Sequence, residues 1–247
     1  MAEDKIVKQL KYIFYLFTQY SLFMKLLFVF IPLLIGTGTV FGQVKSSQYG
    51  GAGTAGRSAA SGLNWFAGAG IGAQVYFGDH DKQLSLGKRL APSFDISGGK
   101  WLNSSFGVRA GLSGFKMKGL TQNRSHSTGE VFDASRSLEK QSFNFLYAHA
   151  DLLFNWTNDI YGGYDADRVY HIIPYAGIGW ATGLDKPSAN NLSPNIGVLQ
   201  SWKLSANLDF TLDVRGNLLG DGFDGEKGGR NFEGVLATQV GLNYNFR

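Results

Sequence analysis

The chain has 247 residues, a formal net charge of +4, no cysteine, 34 glycines, 5 prolines and 14% aromatic residues. Without cysteine, disulfides, thiol chemistry, cysteine-held metals and an acylated lipoprotein anchor are all excluded. Residues 1–42 carry Lys5, Lys8, Lys11 and Lys25 against Glu3 and Asp4; the remainder holds 19 basic and 17 acidic residues, a balance too even for a nucleic-acid surface.

The chain opens with a targeting segment. Met24 begins an export signal, with Lys25 as its positive start and Leu26 to Ile35 (LLFVFIPLLI) as its apolar stretch. Val40-Phe41-Gly42 provides the processing site, giving expected cleavage before Gln43. Residues 1–23 read as an upstream extension. An uncleaved membrane helix over about 10–41 is the alternative, but Lys11, Gln19, Lys25 and Pro32 interrupt the clean apolar run that a spanning helix needs. Residues 43–62, rich in Gly and Ser, form a flexible lead-in.

From residue 63 to 247 the sequence alternates. Strands are expected at about 64–78, 91–102, 105–118, 142–157, 169–182, 195–203, 207–219 and 232–246, the sixth being the least regular. The seventh is the clearest: Leu208, Phe210, Leu212, Val214 and Leu218 share one face, and Asp209, Thr211, Asp213, Arg215 and Asn217 the other. One face is too polar for an ordinary core and the other too apolar for water, which suits a closed barrel in lipid with charge inside. Residues 79–90, 119–141, 183–193 and 220–231 are long polar connections; 103–104 and 204–206 are tight turns, and 158–168 is longer. That alternation fits long extracellular loops and short periplasmic turns. Tyr170 and Trp180, ten residues apart on one face, would be about 33 Å apart along the strand and about 25 Å along the membrane normal at a tilt of roughly 40°, which is the height of the apolar band. Trp156, Tyr170 and Trp180 are therefore expected in the aromatic girdles. Pro174 lacks an N–H within the fifth strand, and a bulge or a weakened ladder is expected there. A soluble barrel with the faces reversed is the alternative fold; the girdle spacing and the ending Tyr244-x-Phe246 argue against it.

Several stretches share a pattern: Leu86-Gly87-Lys88, Gly99-Lys100-Trp101 followed by Gly107-Val108-Arg109, His149-Ala150-Asp151-Leu152, Gly162-Gly163-Tyr164 to Asp167-Arg168-Val169, Pro174-Tyr175-Ala176-Gly177-Ile178-Gly179-Trp180, Leu212-Asp213-Val214-Arg215 and Phe223-Asp224-Gly225. Together these resemble the N-terminal transmembrane barrel of OmpA-type outer-membrane proteins of the Bacteroidetes. The resemblance implies an eight-stranded antiparallel up-and-down transmembrane β-barrel in the outer membrane. Such proteins often carry a periplasmic peptidoglycan-binding domain as well; this sequence stops at Arg247, and the expectation is of a barrel without it. Lipid, lipopolysaccharide and the barrel-insertion machinery are the expected partners, with Tyr244 and Phe246 as the assembly signal and a membrane-protein partner as a further option.

Asp95, Arg109, His149, Asp151, Asp209, Asp213 and Arg215 are expected to face inward. The lumen of an eight-stranded barrel is filled by side chains, and charges there must be paired. An ion-pair plug is the expected outcome; a narrow gated channel is the alternative, since rings of charge can set selectivity. Ser125, His126 and Glu130 in the second long loop could mimic a lipid A-modifying hydrolase, and Asp79, His80 and Asp81 a weak cation site, but mixed polar loops place such residues together by chance. No catalytic, cofactor or metal site is expected.

Overall fold

The computed structural model describes residues 65–228 and 232–246. The expected export segment, 1–42, and lead-in, 43–62, lie outside the described residues. Nine strands run antiparallel: β1 (Trp65–Phe77), β2 (Ala91–Trp101), β3 (Phe106–Thr121), β4 (Ser127–Asp133), β5 (Leu138–Phe154), β6 (Tyr170–Gly183), β7 (Asn190–Lys203), β8 (Leu208–Gly220) and β9 (Phe232–Asn245). β1 pairs with both β2 and β9, and β3 pairs with β5, so eight strands close into a barrel and leave β4 as a short addition to the upper end of β5.

Alternation decides which face each residue takes. In β3, Val108, Ala110 and Leu112 face outward while Arg109 and Ser113 are buried; in β8, Phe210 and Leu218 face outward while Asp213, Arg215 and Asn217 are buried. At the end of the barrel where β1 begins and β9 finishes, neighbouring strands place aromatic rings side by side: Phe106 with Phe154 at 5.1 Å, Tyr170 with Trp202 at 5.1 Å and Trp202 with Phe210 at 5.7 Å. Such a belt is typical of a membrane–water boundary. Trp180 lies exposed near the opposite end of β6. Trp156 is also exposed, but it opens a short helix (Trp156–Ile160) rather than extending the strand.

Helix α1 spans Leu86–Arg89 in the β1–β2 connection, and α2 spans Trp156–Ile160 after β5. Asn155 caps α2 by accepting the Asn158 N–H at 2.9 Å, which ends β5 sooner than the apolar pattern suggests. β7 begins at Asn190, shortening the third outer loop to residues 184–189. Pro174 produces no bulge: the β6–β7 register runs continuously through Pro174↔Val198. The β5–β6 ladder ends at Leu153↔Tyr175, so proline occupies a position where no N–H is required on that side.

Many glycines make room inside. A side chain at Gly197 would place its Cβ 2.3 Å from the Tyr175 hydroxyl, and one at Gly179 would meet the Tyr147 ring at 2.5 Å. Each ring covers the glycine of the next strand and fills lumen volume. Gly197→Val should therefore displace Tyr175 and cost about 1–3 kcal/mol, the usual range for overpacking. The expected outcome is a lower temperature for loss of the compact, heat-modifiable band on semi-native gels.

Candidate functional site in the lumen and its outer mouth

The inward polar faces of β2, β3, β5 and β8 meet in one layer. Arg109 lies at the centre: Nε donates to Asp151 Oδ2 at 2.9 Å and Nη1 to Asp213 Oδ2 at 3.0 Å. Arg109 and Asp151 are direct cross-strand partners of the β3–β5 register. Arg215 pairs with Asp95 at 3.1 Å and donates to Ser113 Oγ at 3.0 Å and to the Tyr175 hydroxyl at 3.1 Å. His149 Nδ1 faces Asp151 at 3.0 Å; its Nε2 lies 3.3 Å from Asp95 and 3.0 Å from Arg215 Nη1. Arg109 Nη2 and Arg215 Nη2 make electrostatic contacts rather than aligned hydrogen bonds, 2.8 Å from Asp151 and 3.7 Å from Asp213.

Thus six of the seven expected lumen charges come together, and all six are buried. Asp209 is the exception. It is half-buried near the start of β8 and accepts from Asn245 Nδ2 at 2.8 Å, with no ion pair to the central layer. Because alternation gives the face and not the height, its inward position did not determine its partner.

Uncharged residues complete the layer, and two of them, Tyr175 and Asn195, were not expected from the sequence. Tyr175 donates to Asp213 at 2.5 Å and lies under the Arg109 guanidinium, 4.4 Å from ring centre to Cζ. Asn195 donates to Asp151 at 3.0 Å and to the Tyr147 hydroxyl at 2.8 Å. Tyr175 shares the odd-numbered lumen face of β6, a signal present in the sequence; Asn195 lies on β7, where alternation is weakest.

Apolar side chains seal the layer on both sides. Below it pack Phe66, Leu153, Ile173 and Tyr175, with Trp101 and Leu199 against them. Above it pack Tyr76, Met117, Phe143, Phe145, Tyr147, Leu219 and Phe223. Phe223 comes from the β8–β9 loop and is completely buried. A cavity of about 30 Å³, lined by Phe66, Asp95, Arg109, Leu199 and Asp213 among others, has room for one or two waters.

A second polar cluster sits at the outer mouth. Asp81 is fully buried and accepts backbone N–H groups of Gly78 and Leu120, each at 2.7 Å. Asp224 accepts from Gln141 at 3.0 Å and from the Glu226 N–H at 2.9 Å. Glu233 receives the Tyr76 hydroxyl and the Gly222 N–H. His80 turns away from Asp81 to pair with Glu226 at 3.2 Å. Among the described residues, no group of three or more His, Cys, Asp or Glu side chains is placed to hold a metal ion. Ser125, His126 and Glu130 do not form one centre either: Ser125 donates to Gly225 O at 3.1 Å, His126 stacks on Phe143 at 4.6 Å and Glu130 pairs with Lys140.

No family model matches the sequence. The chain is 30% identical over 194 residues to Outer membrane protein 40 of Porphyromonas gingivalis; the match covers 74% of this chain and 47% of the relative, so the chain spans about half of that protein's length. Solved structures of similar outline include Neisserial surface protein A, at 14% identity, 74% of this chain, 97% of the other and a TM-score of 0.46. The N-terminal β-barrel domain of Pseudomonas aeruginosa OprF compares at 12% identity, 74% and 99% coverage and a TM-score of 0.41.

Arg215→Ala leaves Asp95 and Asp213 short of a buried partner and should destabilise the barrel by roughly 3–5 kcal/mol, read as a lower urea midpoint in lipid or detergent. At the mouth, burial pushes the Asp81 carboxyl from 3.8 up to about 6, against the opposing pull of its two N–H donors. The folded loop therefore holds this proton more tightly than the unfolded one. Its contribution to stability is present below about 3.8, declines as pH rises to about 6 and is then flat. Protection factors of the Gly78 and Leu120 amides should be higher at pH 4.5 than at pH 7.5, and Asp81→Asn should remove most of that difference.

Proposed function

Since the chain is an eight-stranded outer-membrane β-barrel protein, we propose that it acts as a closed barrel with a structural and surface-contact role, rather than as a conduit or an enzyme. The observation that carries this reading is the sealed lumen: five paired charges and His149 lie between two apolar layers, and the upper layer is stoppered by Phe223. An open pathway would have to withdraw that ring and part the Arg109–Asp151 and Arg215–Asp95 contacts together.

The outer loops support a presenting surface. Gln122 N–H donates to Glu226 at 3.1 Å, Asn123 Nδ2 to Gly225 O at 2.9 Å, and His80 pairs with Glu226, so the β1–β2, β3–β4 and β8–β9 connections are tied over the mouth. Arg124–Glu139, Arg136–Asp133 and Lys140–Glu130 lace the neighbouring hairpin. A tied set of loops pays less ordering entropy on meeting a partner.

The proposal extends to biogenesis. Residues 24–42 would direct export, and Tyr244 and Phe246, exposed on the outer face with their rings 5.1 Å apart, would be read by the insertion machinery. A role as one subunit of a larger complex is the second reading, favoured by the exposed small residues Ala67 and Ala69 on β1 and Ala148 and Ala150 on β5, which permit close approach in lipid.

Planar-bilayer recording of the purified full chain separates barrel from channel. The closed-barrel reading expects no stepwise conductance. Sustained steps whose amplitude changes in Arg215→Ala would replace it with the channel reading.

A further inference from the structure

Phe115 breaks the face rule of β3. Its register partners, Ser93 and Phe145, both face the lumen, yet Phe115 is 49% exposed. The backbone causes this: φ is +141° at Gly114 and +121° at Phe115. Other non-glycine residues at positive φ are Arg124, His126 and Ser137, which lie in loops, whereas Phe115 lies within a barrel strand. The Lys116 carbonyl accepts the Gln74 side-chain amide at 2.8 Å. Such strain persists where the surroundings over-determine it, and it points to what the displaced side chain does.

Above Phe115 the outer wall turns basic. Met117 is buried and pairs with Phe143 inside, so Lys116 and Lys118 project outward. Their cross-strand partners are Asn144 and Ser142, neither of them acidic. Asp185, the carboxylate beside Asn144, accepts that residue's N–H at 2.6 Å. Helix α1 packs against β3 and adds exposed Lys88 between exposed Leu86 and Leu90. The basic residues of the adjacent hairpin are each paired with a carboxylate. Among the described residues, the side-chain ammonium groups of Lys88, Lys116 and Lys118 have neither a hydrogen bond nor an ion pair.

Height identifies the occupant. Phe106, Val108 and Leu112 mark the apolar band on β3, Phe115 is its upper edge, and Lys118 stands three residues higher. At about 3.3 Å per residue and a tilt of roughly 40°, that rise is about 8 Å, the depth of the headgroup layer on the extracellular side. We propose that Lys88, Lys116 and Lys118 bind the phosphate groups of a phosphorylated outer-leaflet glycolipid of the lipid A type, while Phe115, Leu86 and Leu90 lie against its acyl chains. Unpaired ammonium groups at that depth meet the negative charge of that leaflet, and three together act as a polybasic patch.

The test reconstitutes the full chain in phosphatidylcholine nanodiscs doped with lipid A, either phosphorylated or enzymatically dephosphorylated, and weighs the lipid A that co-purifies after mild detergent extraction. Wild-type protein should retain phosphorylated lipid A at least about tenfold over the dephosphorylated form. The triple variant K88Q/K116Q/K118Q should lose that preference, while K203Q, altered at the periplasmic end, should keep it. Unchanged heat-modifiable mobility shows that the variants are folded; if the triple variant fails this control, K118E alone must show the weakened preference. Equal retention of the two lipids by wild-type protein, or full retention by the folded variants, would overturn the proposal.

Discussion

The contact on which the barrel depends most is that between Arg109 and Asp151. They are direct neighbours across β3 and β5, and Asp151 also receives His149 and Asn195 while Arg109 reaches over to Asp213. Four strands are therefore connected through two side chains. Buried ion pairs contribute little net stability relative to apolar packing, but a broken pair is severely unfavourable. The layer thus specifies more than it stabilises: a register slip of two residues keeps every apolar side chain in lipid and yet strands the charges.

Narrowness makes this necessary. Eight strands enclose a lumen wide enough for side chains alone. Glycine on one strand and a tyrosine on the next share the available volume, as at Gly197 with Tyr175 and Gly179 with Tyr147. The same tyrosines carry hydroxyls into the charged layer, where Tyr175 serves Asp213 and Arg215 and Tyr147 receives Asn195. Size and polarity are satisfied by one residue type, which is why the composition is rich in both glycine and aromatics.

Alternation made the barrel, its strand number and six of the lumen charges legible from sequence, because the period of two follows directly from strand geometry. The rest depended on distant partners. Asp81 looked like part of a solvated Asp-His-Asp turn until Leu120, near the end of β3, closed over it. β4 arises by pairing with the upper end of β5, at Ser127↔Gln141 and Val131↔Glu139, and its own residues show no clean alternation. Phe223 lay in a polar loop, where nothing local marks it as a stopper. Phe115 is the reverse case: its position predicted the lumen, and two positive φ angles turned it out.

The Gly–Tyr stacks reverse the usual geography of sequence drift. In a soluble protein the surface tolerates change and the greasy core resists it. Here the greasy residues are the periphery, and lipid chains reshape around whichever apolar side chain they meet. The intolerant positions are small or polar and lie on the axis, where a single added methyl meets a ring or a carbonyl. Among related sequences the Leu, Ile and Phe of the wall should interchange freely, while the glycines beneath Tyr147 and Tyr175 stay fixed.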